Sequence, residues 1–250
     1  GYLRAFAPAL TAKADVPIET YERALAESPQ KAVELLLASP RMDIDAVAYA
    51  RELRSEGIIH QVLLGTQLAI EGGGTVNDRV IAIALQAPDT LQAWAGLSMA
   101  DMPAALEELE RCIALGAKGV STVPFQAGVD PDNPSCHQLY GRLAELGLPL
   151  WIHTGMSFAS DKPLHACTWN HIDRIAMAHP RLRIISGHGG WPWITEAMAV
   201  LQRQPNVYLD DFQLTLAPVK VQISPGAPRR PISPQNYGVN FGSTAQATRM

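Results

Sequence analysis

Two histidines carry the strongest chemical suggestion in this chain. His153 closes the apolar run Pro149-Leu150-Trp151-Ile152-His153-Thr154-Gly155, and His188 follows a second run in Ile184-Ile185-Ser186-Gly187-His188-Gly189-Gly190-Trp191. An imidazole changes charge near neutral pH and so can exchange a proton with a substrate; in its neutral form it ligates divalent metals. Both lie just past an apolar stretch of strand length, where parallel α/β barrels hold their reacting groups. The competing assignment for each is a buried, hydrogen-bonded structural residue. Gly187, Gly189 and Gly190 let the backbone turn sharply beside a ligand, or simply shape a tight turn before a helix opened by Pro192. Trp191 and Trp193 offer flat surface to an aromatic ligand, or pack at a rim.

Carboxylates come next. In Asn206-Val207-Tyr208-Leu209-Asp210-Asp211 the alternation of a strand turns one acid inward. Asp211 is the one expected to work with His188, because it lies further towards the loop side. His165, in the loop after His153, is expected to contact substrate. Asp130 and Asp132, within Gly128-Val129-Asp130-Pro131-Asp132-Asn133-Pro134, have ordinary turn chemistry. His60, His137, His171 and His179 fall within strands or helices and are assigned structural roles. No glycine-rich phosphate cradle and no GxSxG nucleophile elbow is present.

Such residues need a frame, and the hydrophobic pattern supplies one. Apolar runs at 58–65, 91–98, 117–123, 148–154, 182–186 and 206–210 alternate with amphipathic stretches at about 78–87, 103–115, 135–146, 168–179 and 192–203. Leu106, Leu109 and Ile113 share one side of the second stretch, and Leu139, Leu143 and Leu146 one side of the third. Near-continuous apolar strands joined by helices predict a parallel sheet covered on its outer face. Tyr237 to Thr244 suggests a seventh strand. Residues 1–57 are predicted helical, with the pattern clearest over about 29–38 and 43–56, so the expected fold is a (β/α)8 TIM-barrel-like α/β domain, distorted or incomplete at the first strand. Pro218, Pro225, Pro228, Pro231 and Pro234 exclude a regular helix from about 216–235 and predict a loop there. The whole of 1–250 is expected to be one domain.

Composition narrows the partners. With 20 basic and 24 acidic residues, a net charge of −4 provides no global field for nucleic acid or an anionic membrane. Apolar stretches are broken too often to reach the roughly 20 residues of a membrane helix, and the opening Gly1-Tyr2-Leu3-Arg4 lacks the order of a secretory leader. Cys112, Cys136 and Cys167 are widely spaced without CxxC, as expected of cytoplasmic thiols.

The ordered set Ile152-His153-Thr154-Gly155, Gly187-His188-Gly189-Gly190-Trp191-Pro192-Trp193 and Asn206-Val207-Tyr208-Leu209-Asp210 resembles the amidohydrolase-related family (amidohydrolase 2). The resemblance is to its branch of aminocarboxymuconate-semialdehyde and resorcylate-type decarboxylases, and Gly116-Ala117-Lys118-Gly119-Val120 and His179-Pro180-Arg181-Leu182 suit it too. It covers about 58–211 well and 237–244 weakly. The resemblance implies a barrel with one divalent metal, zinc or manganese, acting on a small carboxylated aromatic or unsaturated substrate. It makes His153 a metal ligand and His188 the proton donor or water activator. Homodimers occur in the family, and residues 212–236 could cover a neighbour.

Three features depart from that pattern. No His-x-His pair, nor a Glu/His variant of it, stands near the start; Phe241-Gly242-Ser243 is followed by Thr244 where the family places an aspartate ligand; and prolines replace a helical connection. Either the metal pair lies outside this chain, or the cavity is metal-free and works through His153 and His188. The leading expectation is a decarboxylating lyase. A lactone or amide hydrolase, a metal-independent isomerase, dehydratase or cyclase, and a noncatalytic binding protein remain as alternatives.

Overall fold

The computed structural model describes residues 2–70, 73–157 and 162–210. Five helices lead: α1 (Tyr2–Ala5), α2 (Ala7–Ala14), α3 (Ile18–Glu27), α4 (Pro29–Leu37) and α5 (Ala46–Ser55). The expected helices at 29–38 and 43–56 are α4 and α5. Helices α2, α3 and α4 close around their own small core of Ala7, Ala14, Tyr21, Ala32 and Leu36, and the Tyr21 hydroxyl ties α1 to it by donating to Leu3 O. Arg79 anchors this unit to the rest by donating to the carbonyls of Leu37 and Met42.

Six strands follow, each joined to the next through a helical connection: β1 (Gln61–Leu64), α6 (Val76–Ala84), β2 (Leu91–Leu97), α7 (Met102–Leu115), β3 (Gly119–Thr122), α8 (Pro124–Ala127), α9 (Cys136–Leu146), β4 (Leu150–Ile152), α10 (Trp169–Ala178), β5 (Ile184–Ser186), α11 (Ile194–Arg203) and β6 (Val207–Leu209). The sheet runs β1-β2-β3-β4-β5-β6, every neighbouring pair parallel. This is an α/β half-barrel, an incomplete TIM-like fold, and no strand precedes β1 among the described residues. The expected strand at 237–244, the proline-rich stretch at 216–235, Asp211 and Thr244 lie outside the described residues.

Local chemistry explains the helix ends. Thr75 and Asp78 form a reciprocal capping box at the start of α6, Asp101 accepts from Ala104 N–H at the start of α7, and Gly116 closes α7 in the left-handed conformation. Asn77, fully buried in α6, accepts from Gly96 N–H at 2.8 Å and donates to Gly96 O at 3.2 Å, stitching the helix to β2.

Strand alternation then sorts the sheet into two faces. Ala93, Ala95, Val120, Leu150, Ile152, Ile184 and Val207 pack outward beneath Leu109, Leu139, Leu143, Ile172 and Ile175 from the helices. Burying each such leucine or isoleucine contributes about 1.5–3 kcal/mol against conformational entropy. On the inner face Trp94, Trp151 and Ile185 cluster with Val62, Leu64, Val123 and Tyr208. The two indoles use the same packing device: Trp94 covers Gly119 of the next strand and Trp151 covers Gly187, where a Cβ would come within 2.5 and 2.4 Å of the respective rings.

No described helix is long and apolar enough to cross a membrane.

Candidate active site

The register Ile152↔Ser186↔Leu209 sets three strand ends level, so the next residue on each, His153, Gly187 and Asp210, stands at the C-terminal mouth. Because Ile152 packs outward, Trp151 and His153 share the inner face. His153 is held by its own N–H, which donates to Thr122 O at 3.0 Å, and by the edge of Phe125 from α8, with ring centroids 4.7 Å apart.

His188 arrives differently. Ser186 passes directly into a tight turn, Gly187–Gly190, in which His188 (φ 61°, ψ 25°) and Gly189 (φ 57°, ψ 11°) adopt left-handed backbone and Gly190 follows at φ 72°. An L residue enters that region at a cost of about 1–2 kcal/mol, and the surroundings must hold it. Gly189 N–H donates to Asp210 Oδ1 at 3.1 Å. Thr154 Oγ donates to Gly187 O at 2.5 Å, which leaves the Ser186 hydroxyl to donate to Thr154 at 2.8 Å. The loop after β4 is knitted on as well, with Met156 N–H donating to Trp191 O at 2.7 Å and Gly155 N–H to Cys167 O at 2.8 Å.

The result is an imidazole pair. His153 and His188 have ring centroids 4.7 Å apart and planes inclined at 72°. The Trp151 ring meets both edge-on, at 5.5 Å from His188 and 6.2 Å from His153. Burial, and then the neighbouring His188, pull the His153 pKa down to about 3; burial also lowers that of His188. Removing an imidazolium from water disfavours its charge, so both rings are neutral at neutral pH. His153 Nδ1 is buried with no hydrogen-bond partner among the described residues, an arrangement that costs about 1–3 kcal/mol unless something else satisfies it.

Of the other expected site residues, Trp191 stands at the rim, 36% exposed, with its backbone supporting both loops. His165 is exposed, and its carbonyl accepts from His171 Nε2 at 2.8 Å; the ring contacts that join His153 to His188 do not extend to it. Of the acids, Asp210 is the one described: it is 3% exposed and its Oδ2 accepts from Trp151 Nε1 at 2.8 Å. Sequence reasoning passed over Trp151 and Phe125. The signal for Trp151 was present, since Leu150 and Ile152 on one face put Trp151 and His153 on the other; Phe125 comes from a one-turn helix with no periodicity to read. On the outside, His137 Nδ1 and His179 Nε2 lie 2.9 Å apart, Asp132 pairs with Arg174, and His171 pairs with Asp130, all structural ties between loops and helices.

Among the described residues no group of three or more His, Cys, Asp or Glu is placed to hold a metal ion. The neutral His153 and His188 rings have suitable donor chemistry, but two donors do not make a metal site.

Comparison with known proteins adds the family context. Residues 22–232 match the sequence profile of the amidohydrolase family Amidohydro_2. Gamma-resorcylate decarboxylases from Rhizobium radiobacter and another Rhizobium are each 28% identical over 156 residues, covering 52% of this chain and 48% of the relative. The chain therefore spans about half the length of the curated relatives it matches. An uncharacterized TIM-barrel protein from Bordetella bronchiseptica superposes with a TM-score of 0.56 and 25% identity, over 77% of this chain and 66% of that one. A dihydroxybenzoic acid decarboxylase from Polaromonas, with bound manganese and the inhibitor 2-nitroresorcinol, gives a TM-score of 0.50 at 20% identity, over 77% and 74%. That second likeness is one of fold.

Proposed function

The chain belongs to the amidohydrolase family, and from that premise we propose that it decarboxylates a small carboxylated aromatic acid, with His188 delivering the proton to the carbon that loses carbon dioxide. The observation that carries this reading is the pair of buried His153 and half-buried His188, ring centroids 4.7 Å apart at the mouth of the strands. The Rhizobium relatives, gamma-resorcylate decarboxylases, suggest the substrate class.

The chemistry needs one proton per turnover. When the carbon–carbon bond to the carboxylate breaks, its electron pair stays on the ring carbon and carbon dioxide departs; the ring carbon then takes a proton from the His188 imidazolium, and water later restores that proton. Burial keeps His188 neutral in the free site. A bound carboxylate opposes that effect, because a nearby anion favours the imidazolium, so the substrate itself recruits the proton it consumes. His153, more deeply buried, resists protonation more strongly than His188. Its buried, unsatisfied Nδ1 has the hydrogen-bonding chemistry to meet a phenolic hydroxyl next to the departing carboxylate. The Trp151 ring meets both imidazoles edge-on and the Phe125 ring meets His153, so the pair is walled by aromatic rings.

A divalent ion, zinc or manganese, would polarise substrate oxygens as a Lewis acid. Since the described donors do not complete a site for one, none of the steps above passes through it.

The test is incubation of the full chain with gamma-resorcylate (2,6-dihydroxybenzoate), with and without added manganese or zinc, following resorcinol by chromatography and carbon dioxide by mass spectrometry. Equimolar resorcinol and carbon dioxide, lost in His188→Gln, are expected. Opening of an aromatic lactone with no gas released would replace this reading by hydrolysis.

A further inference from the structure

We propose that Asp210 is a positioning residue for the imidazole pair, acting through Trp151 and the Gly189 turn. The assignment rests on the reading of His153 and His188 as the reacting groups and adds the device that fixes their spacing.

The two imidazoles reach the mouth by separate routes. His153 is carried on the continuation of β4, whereas His188 sits in a left-handed turn after β5. Nothing in either strand alone sets the 4.7 Å between them. Asp210, from β6, bonds to both sides of the gap: Oδ2 accepts from Trp151 Nε1 at 2.8 Å and Oδ1 accepts from Gly189 N–H at 3.1 Å. Trp151 is two residues before His153 and faces both imidazoles edge-on; Gly189 is the residue after His188. One buried carboxylate thus ties the ring that spaces the pair to the turn that presents its second member.

A carboxylate is the group this bridge requires. Both partners are N–H donors, so both side-chain oxygens must accept, and an ionised acceptor strengthens each bond. Asparagine is almost isosteric, yet it would set its NH₂ against one of those N–H groups. Asp210→Asn is therefore the sharp variant. Trp151→Phe is its complement, removing one donor while leaving Asp210 on Gly189.

The experiment has two arms. In histidine-labelled protein, a nuclear Overhauser effect between the His153 and His188 ring protons is expected in the wild type and weakened in both variants. On gamma-resorcylate, kcat is expected to fall about tenfold to a hundredfold in Asp210→Asn, the size of loss that a misplacement of the order of 1 Å produces, with KM changing by less than about threefold. The double variant should be no slower than Asp210→Asn alone, since the two residues act as one unit.

A folded Asp210→Asn with the ring-to-ring signal intact, or losses that multiply in the double variant, would overturn the assignment. A purely structural role would lower thermal stability and leave both readouts unchanged. If Asp210→Asn does not fold, Trp151→Phe decides: an undiminished ring-to-ring signal there is equally fatal. If the wild type releases no carbon dioxide from gamma-resorcylate, the decarboxylase reading falls and the ring-to-ring signal alone judges Asp210.

Discussion

The rings of His153 and His188 meet edge to face, centroids 4.7 Å apart and planes at 72°, although 34 residues separate them in the chain. This contact gives the pair distinct chemistry for its two members. Replacing His188 by Gln removes the proton donor and is expected to lower kcat by about 10²–10⁴-fold with the fold retained. His153→Gln should chiefly weaken substrate binding. Steady-state kinetics on gamma-resorcylate, with circular dichroism as the folding control, separates the two.

Stability should fall in acid because of the same burial. A histidine whose pKa is depressed on folding binds its proton more readily in the unfolded chain, so its contribution is complete above the ordinary value of 6.5 and is lost as pH falls towards about 3. For His153 alone this amounts to about 2 kcal/mol between pH 7 and pH 5. Thermal unfolding followed across that range should show the slope, and His153→Gln should flatten it. A Tm equally insensitive to pH in both proteins would contradict a buried, neutral His153.

Gly155 should tolerate no side chain. It has φ +80°, and a Cβ there would lie 2.5 Å from Trp191 O, at the junction of the two site loops. Gly155→Ala is expected to cost about 2–4 kcal/mol through backbone strain and lost loop contacts. Denaturant unfolding measures it directly. Gly57→Ala, at a positive φ with open space around it, isolates the backbone part of that cost.

The thiols should be inert in the native protein. Cys112, Cys136 and Cys167 are buried, and burial pushes Cys112 up to about 12 and Cys167 to about 11, with Cys136 also raised. Only the thiolate reacts. A chromogenic disulfide reagent should find almost no reactive thiol at pH 8 and all three after denaturation; rapid native labelling would show that these helices open readily.

Much of the frame was legible from residue order. The six strands declared themselves as near-continuous apolar runs and the helices between them by the 3.6 period, because a strand covered on both faces is apolar throughout and each helix buries one stripe. Boundaries came out shorter than the apolar runs: β4 spans Leu150–Ile152, within the expected 148–154. The short helices α8 and α2 gave weaker signals, since α8 is a single turn and α2 is rich in alanine, with little contrast between its faces.

The residue types and their places at strand ends were determined by the sequence alone: His153 and His188 stand past apolar runs, and glycines surround the second. The tertiary structure decided the rest. Which acid bonds to Trp151 and Gly189 depends on the register Ile185↔Tyr208 and Ser186↔Leu209, and register is a relation between strands that no single segment encodes. The left-handed turn at His188 likewise depends on Asp210 and Thr154, which lie 22 residues after it and 34 before it. Local sequence can name an imidazole and the strand that carries it; the distance and angle between two imidazoles exist only once separate strands have been packed side by side.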